Sequence, residues 1–359
     1  MMNTPIQADQ VERRGRELVK QRHQRTWCRL KENQMLMIGA VVMVILIVVA
    51  TVGPWFSPYN QFQMVIDDKL TGPSVHHWLG TDDFGRDLAT RLLFGLRTSL
   101  GIGIAVTVLT AVLGGAIGLI SAYFKSVDGV LMRIMDGFMA FPSILLAICL
   151  MAAFGAKISN VIIALTVVFT PQMARVVRSS AVSVKEEMFI DAMQSQGASA
   201  LRIILKHMLP NIVSPIVVQA TFIFADAIIT EASLSFLGAG VPPPGASLGS
   251  ILQDGKALIF SSWWIVVFAG ILTILCVFGL NFLGDGLRDH FDPRSGKRRK
   301  VSGVAKGQIL RLVGGRSAAG MAVSTRVTEE PHPGPDAVAT AASDPAVQAP
   351  VQKGTNRDV

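Results

Sequence analysis

The feature that most constrains this chain is a series of long runs without a single charged residue. They occupy 35–56, 101–124, 137–156, 158–174, 208–225 and 257–284. A helix crosses the hydrocarbon core of a bilayer in about 20 mostly apolar residues, so these are six candidate spans. In lipid each must satisfy its own backbone, which makes helices the expected form. A membrane barrel would show segments of about 10 residues with alternating polarity, and no such pattern is present. The expected fold class is therefore an all-α membrane protein with six transmembrane helices.

Composition agrees. Charged residues make up 16% of the 359, against about 25% in a soluble domain. Cys28, Cys149 and Cys276 are scattered, without a CxxC pair, which argues against a disulfide framework or a cysteine zinc site. The net charge of +8 fits basic loops facing anionic headgroups better than a nucleic-acid partner. Of the 33 Lys and Arg, 27 fall in 1–34, 125–136, 175–206 and after 284. By the positive-inside rule those segments, and both termini, are expected in the cytoplasm. The first run is longer than a signal-peptide core and no A-x-A site follows, so it reads as an uncleaved anchor.

The expected organisation follows from the spans. Residues 1–34 form a basic cytoplasmic leader, with a helix expected over 9–32 near the inner headgroups, and 35–56 the first anchor helix. Residues 57–98 form an outer segment, in which Thr81 and Asp82 are candidate caps for the following helix. Residues 99–287 form a core of five further spans. Residues 288–359 form a cytoplasmic tail, opened by the basic cluster Lys297-Arg298-Arg299-Lys300 and expected to be disordered after about 300, where bulky apolar residues are scarce. Gly101, Gly103, Gly114, Gly115 and Gly118 are assigned to close helix packing. Pro142, Pro171, Pro210 and Pro215 lie in or beside spans, where a missing donor kinks or starts a helix.

The loop 184–210 has room for a substantial helix. Its stretch EEMFIDAMQSQGASALRIILKHMLPNI predicts a short helix over 184–196 and a sharp turn at Gly197, where positive φ costs little. A second helix is expected over 198–206, with Pro210 opening the next span. Such a helix-turn-helix is either an amphipathic surface hairpin or a stiff element seated in a soluble partner. Arg175 and Arg178, on one helical face, could meet headgroups or such a partner. Adjacent His76 and His77 make a poor metal pair. Asp226 and Glu231 stand toward the outer end of the fifth span, where carboxylates suggest a translocation pathway, a gate or a structural role.

The Asp191-Ala192 start, Gly197 and the His207-Met208-Leu209-Pro210 end resemble the cytoplasmic EAA loop of ABC importer permeases. Met193 departs from the usual second alanine. LGTDDFGRDLATRLLFGLRTSL at 79–100, MARVVRSSAVSVKEEMFIDA at 173–192, EASLSFLGAGVPPP at 231–244 and GDGLRDHFDPR at 284–294 are similar to segments of the dipeptide/oligopeptide/nickel-type permeases, above all the C-type subunit. The similarity covers roughly residues 25–295.

The resemblance implies the type I importer fold and a permease subunit importing peptides or a related small solute. It implies an ATPase-coupling loop carried by Glu187, Asp191, Ala192, Gly197, Ala198, Arg202, His207, Leu209 and Pro210. Gly80, Thr81, Asp82, Gly85, Arg86 and Asp87 form its motif before the second span. The partners implied are a second homologous permease, two cytoplasmic ABC ATPases, an extracytoplasmic substrate-binding protein and the bilayer of a bacterial inner membrane; no nucleic acid, cofactor or metal is implied. No GxxxxGK[ST] occurs, so ATP chemistry is expected on another chain and this one is not expected to be an enzyme. The competing class is a self-sufficient proton-coupled transporter using Asp226 and Glu231. An intramembrane hydrolase would need HExxH, GxSxG or paired aspartates inside the spans, and the spans hold none of these.

Overall fold

A computed structural model describes residues 33–291. The leader helix over 9–32, the tail and the 297–300 cluster lie outside the described residues. The regular structure of the described residues is helical, apart from one isolated bridge between Thr81 and Asp87, and 57–87 otherwise carries only a short 3-10 turn at Ile66–Asp68.

The first anchor is helix α1, Gln34–Phe56. Its outward residues Val41, Val44, Ile45 and Val48 are exposed, which suits hydrocarbon rather than water. Helix α2, Leu88–Tyr123, starts 13 residues before the uncharged run and has 36 residues. At 1.5 Å per residue it is about 54 Å long. It continues through Arg91 because that side chain is paired rather than solvated.

The third run departs from expectation. Helices α3, Lys125–Met139, and α4, Ser143–Phe154, meet at 92°. With 12 residues, α4 is about 18 Å long and cannot cross a core of about 30 Å alone. Pro142 causes the corner, because its ring disfavours helical backbone at Phe141 and it offers no N–H. Five helices are long and apolar enough to cross a membrane, and the bent pair makes a sixth if counted as one span.

Helix α5, Ile158–Lys185, leads to the short helix α6, Met188–Ser195. Helical turns Ala200–Arg202 and Leu209–Asn211 then flank a π-helical segment, Ile203–Met208. Helix α7, Val213–Phe236, follows. Helix α8, Leu248–Lys256, comes next and is opened by a Ser247–Ser250 capping box. Helix α9 is Trp263–Phe291.

Two apolar clusters hold the bundle. One joins Ile102–Ala122 of α2 to α4, α5, α7 and the 188–212 segment. The other joins α1 to Leu88–Leu100 of α2, α7, α8 and α9. Three of the five glycines serve the close approach expected of them. A Cβ on Gly103 would meet the Phe224 ring at 2.5 Å, one on Gly114 the Met173 Cβ at 2.7 Å, and one on Gly118 the Ala174 carbonyl at 2.6 Å. Gly101 and Gly115 have no such neighbour within 4 Å, so their expected packing role is corrected.

Candidate functional site: a pinned helix-turn-helix

The segment between α5 and α7 is exposed on one side and anchored on the other. Chain direction changes at Glu186-Glu187, where α5 ends and α6 begins, so the single helix expected over 184–196 is two. Ile190 of α6 is 0% exposed, as are Ile203 and Met208, and all three enter the core shared by α2, α5 and α7. Glu187, Asp191 and Ala192 face outward, together with Arg202. Met188 is 87% exposed and Leu201 67%.

The turn between the two arms is a Schellman motif. The Ala198 N–H donates to the Met193 carbonyl at 3.0 Å and the Gly197 N–H to the Gln194 carbonyl at 3.0 Å. Gly197 holds φ +78°. Met193 and Ala198 close the turn with partly buried apolar packing against the core. On the second arm, Pro210 lacks a donor and its ring excludes the carbonyl four residues back. The backbone before it widens to the π pattern, and Asn211 Nδ2 donates to the His207 carbonyl at 2.6 Å. Leu209 is half-buried at this exit and packs on the same core.

Helix α5, which leads into the first arm, is joined to neighbouring helices by ion pairs and by a lysine on backbone carbonyls. Arg178 grips Asp128 of α3 with both Nε (2.5 Å) and Nη2 (2.6 Å). Ser121 of α2 donates to the same carboxylate. The Arg178 guanidinium, then the Ser121 hydroxyl, hold the Asp128 carboxyl at about 2. Lys185 Nζ donates to the Ala122 and Tyr123 carbonyls at 3.0 and 2.6 Å, where a cation suits the C-terminal end of α2. Arg175 reaches Asp136 at 2.7 Å. Arg178 is committed to the Asp128 carboxylate, while Arg175, more than half exposed in its pair, still faces outward.

At the other end of the bundle, the motif of residues 80–87 forms a buried polar lock. Asp82 accepts from the Phe84 and Arg86 N–H groups at 2.9 Å, from Arg86 Nε at 2.7 Å and from Arg91 Nη1 at 2.5 Å. Arg91 also donates to Asp254 of α8 at 3.0 Å. Thr81 and Asp82 do not cap α2. That role falls to Asp87, which accepts from Thr90 N at 2.8 Å, because helical geometry begins only at Leu88. Asp87 is also 3.0 Å from His77 Nδ1. His77 is buried, while His76 is exposed. Gly80 and Gly85 both have positive φ, and a Cβ on Gly85 would fall 1.8 Å from the Val65 carbonyl. Burial raises the Asp83 carboxyl above its ordinary value, with Asp82 and Asp254 adding to the effect.

Asp226 and Glu231 point different ways. Asp226 is exposed on α7. Glu231 is fully buried and accepts from Ser99 of α2 at 2.9 Å and Ser235 at 2.8 Å. Ser99 in turn accepts from Leu248 N at 3.2 Å. Glu231 therefore knits α2, α7 and α8 together, and no relay links it to Asp226.

Sequence reading missed Asp128, Arg178 and Lys185 as a group, and Arg91 with Asp254. Nothing local could have paired residues 50 or 163 positions apart. Among the described residues no cluster of three or more His, Cys, Asp or Glu could hold a metal ion.

Residues 114–297 match the model of the binding-protein-dependent transport system inner membrane component family. Residues 22–73 match that of the N-terminal TM domain of oligopeptide transport permease C. A Brucella abortus chain named for a peptide transport system permease is 46% identical over 74% of this chain and 90% of its own length. The dipeptide transport system permease protein DppC of Alkalihalophilus pseudofirmus is 41% identical over 74% of this chain and 88% of its own. The glutathione transport system permease protein GsiD of Escherichia coli is 40% identical over 75% of this chain and 89% of its own.

Proposed function

The chain belongs to the binding-protein-dependent transport system inner membrane components, and from that premise we propose how it carries out import. It is a multi-pass permease subunit of an ABC importer, not an enzyme, and works with ATPase and substrate-binding partners. The cargo we infer is a short peptide, a class supported by relatives named for peptide, dipeptide and glutathione transport. A second homologous permease completes the pathway, and two ATPases sit beneath the pair. The subunit resides in a bacterial inner membrane with both termini cytoplasmic, which the distribution of Lys and Arg supports. Residues 99–287 act as the permease core between the basic leader and the tail.

The observation that carries the mechanism is the helix-turn-helix at 188–212, exposed at Met188 and Leu201 yet anchored by Ile190, Ile203 and Met208. An ATPase groove closing on α6 would push a lever whose fulcrum is the transmembrane core. Glu187, Asp191, Ala192 and Arg202 face that groove. Gly197 and Ala198 hold the turn, and His207, Leu209 and Pro210 shape the exit into α7. ATP binding drives transport only if the ATPase holds this lever differently in the two pathway states. Gly80, Thr81, Asp82, Gly85, Arg86 and Asp87 fasten the outer segment to the bundle. Asp226 faces the pathway or the partner permease, because an exposed carboxylate on a spanning helix is costly toward lipid. Glu231 steadies the helices around the outer gate. A lone proton-coupled carrier is unsupported, since its two carboxylates do not meet.

Proteoliposomes test this reading. With the partner permease, ATPases and binding protein present, ATP should drive peptide uptake, and a cysteine at position 188 (Met188→Cys) should crosslink to an ATPase subunit. Uptake by the chain alone under a pH gradient, without ATP, would overturn it.

A further inference from the structure

The amphipathic helix α3 poses a mechanical problem. Met135 is its one buried residue among 15, while Val130 and Ile134 are exposed. Apolar packing therefore fixes it weakly. Yet α3 leads through the 92° corner at Ala140-Phe141-Pro142 into α4, the broken third span. The firm hold on α3 is polar: both nitrogens of the Arg178 fork on Asp128, with the Ser121 hydroxyl on the same carboxylate. A bidentate guanidinium–carboxylate pair sets orientation as well as distance. The Arg175–Asp136 pair is more than half exposed on both sides and adds little. Arg178 lies seven residues before the end of α5, where Lys185 fastens the same helix to the last carbonyls of α2.

We propose that Arg178 and Asp128 are positioning residues for transport: they make α3 travel with the end of α5, so that a push on α6 reaches the broken third span. This rests on the permease reading above. Motion of α6 reaches α5 across the short break at Glu186-Glu187. The fork carries it to α3, and the short corner at Ala140-Phe141-Pro142 carries it to α4. Without the fork, α5 would still move under the ATPase while α4 lagged. The ATPase cycle would run with less substrate carried per turnover.

The test is the ratio of ATP hydrolysed to peptide imported by the complete reconstituted complex. Asp128→Asn, Arg178→Ala and Arg178→Lys are compared with the parent, and the assembled complex is quantified for each. Asp128→Asn keeps the shape of the side chain, and Arg178→Lys keeps the charge while losing the fork. The expected result is a ratio raised at least about five-fold in Asp128→Asn and Arg178→Ala, and by less in Arg178→Lys. Import and hydrolysis falling together, or neither changing, in the two conservative variants would overturn the proposal, since a merely structural pair leaves the ratio alone. A parent complex that imports nothing with ATP would instead overturn the permease reading on which the proposal stands.

Discussion

Substitution at Gly197 separates a turn that needs positive φ from one that merely needs a small residue. The backbone there sits at φ +78°, and a Cβ built on it finds no atom within 4 Å. Alanine therefore meets no clash, only the cost of left-handed backbone, about 1–2 kcal/mol. Asparagine visits that region more readily and should cost less. Proline is a different perturbation. It demands φ near −65° and removes the N–H that donates to the Gln194 carbonyl at 3.0 Å. The Schellman turn cannot form, and the loss is about 3 kcal/mol or more. Since 1.4 kcal/mol is a factor of ten, alanine should lower the population of the ordered loop by about five- to thirty-fold, relative to its unfolded alternative. With Ile190 and Ile203 anchoring both arms, that leaves most molecules ordered. Proline should shift the loop by more than a hundred-fold, enough to melt α6 locally. The assay is ATP-dependent uptake in proteoliposomes beside a membrane-insertion measurement. The expected order is Gly, Asn, Ala, then Pro with uptake lost and insertion intact. Normal ATP-dependent uptake by Gly197→Pro would refute the claim that transport needs this turn. Loss in Gly197→Ala as complete as in Gly197→Pro would refute the assumption that backbone strain alone decides.

Three further outcomes are expected. Gly118→Ala should destabilise the purified subunit by about 1–3 kcal/mol, read as a lower melting temperature, because its Cβ would strike the Ala174 carbonyl at 2.6 Å; Gly115→Ala, facing open space, should not. Glu231→Gln should be tolerated better than Glu231→Leu in the same assay. Glutamine can still bond Ser99 and Ser235, whereas leucine strands hydroxyls at about 1–3 kcal/mol each. The Asp128 carboxyl is held at about 2 by Arg178 and Ser121. Its folded-state value is depressed, so its contribution is complete above the ordinary carboxylate value of about 3.9 and fades as pH falls toward about 2. The stability difference between the parent and Asp128→Asn should therefore shrink through that window; a difference constant from pH 5 to 2.5 would contradict the assignment.

The sequence by itself determined the fold class, because hydrocarbon admits few solutions for a backbone that must bond internally, and charge-free runs reveal where those solutions lie. It determined the turn at Gly197 for a similarly local reason, since a glycine at the end of an apolar-patterned helix is a cheap left-handed cap. Local pattern could also place Pro142 at a break, but not say that α3 and α4 would turn through 92°, because that angle depends on what α3 is tied to. It placed the start of α2 a few residues early, at Thr81 or Asp82, because Asp82 is drawn instead to Arg86 and Arg91, a pairing that only the folded chain brings together. The 80–87 motif was visible as a motif, yet its action as a lock between the outer segment and α8 required Asp254, 163 residues beyond Arg91. The sequence left Glu231 open between pathway, gate and structural role, which its serine partners narrow to structure, and left Arg178 open between a headgroup and a soluble partner, whereas Asp128 claims it. Hydropathy and turn chemistry act over a few residues along the chain, while the pairing of buried charges is set by which helices lie side by side. Tertiary structure alone decided the latter, and with it the route by which a push on the exposed helix can reach the membrane.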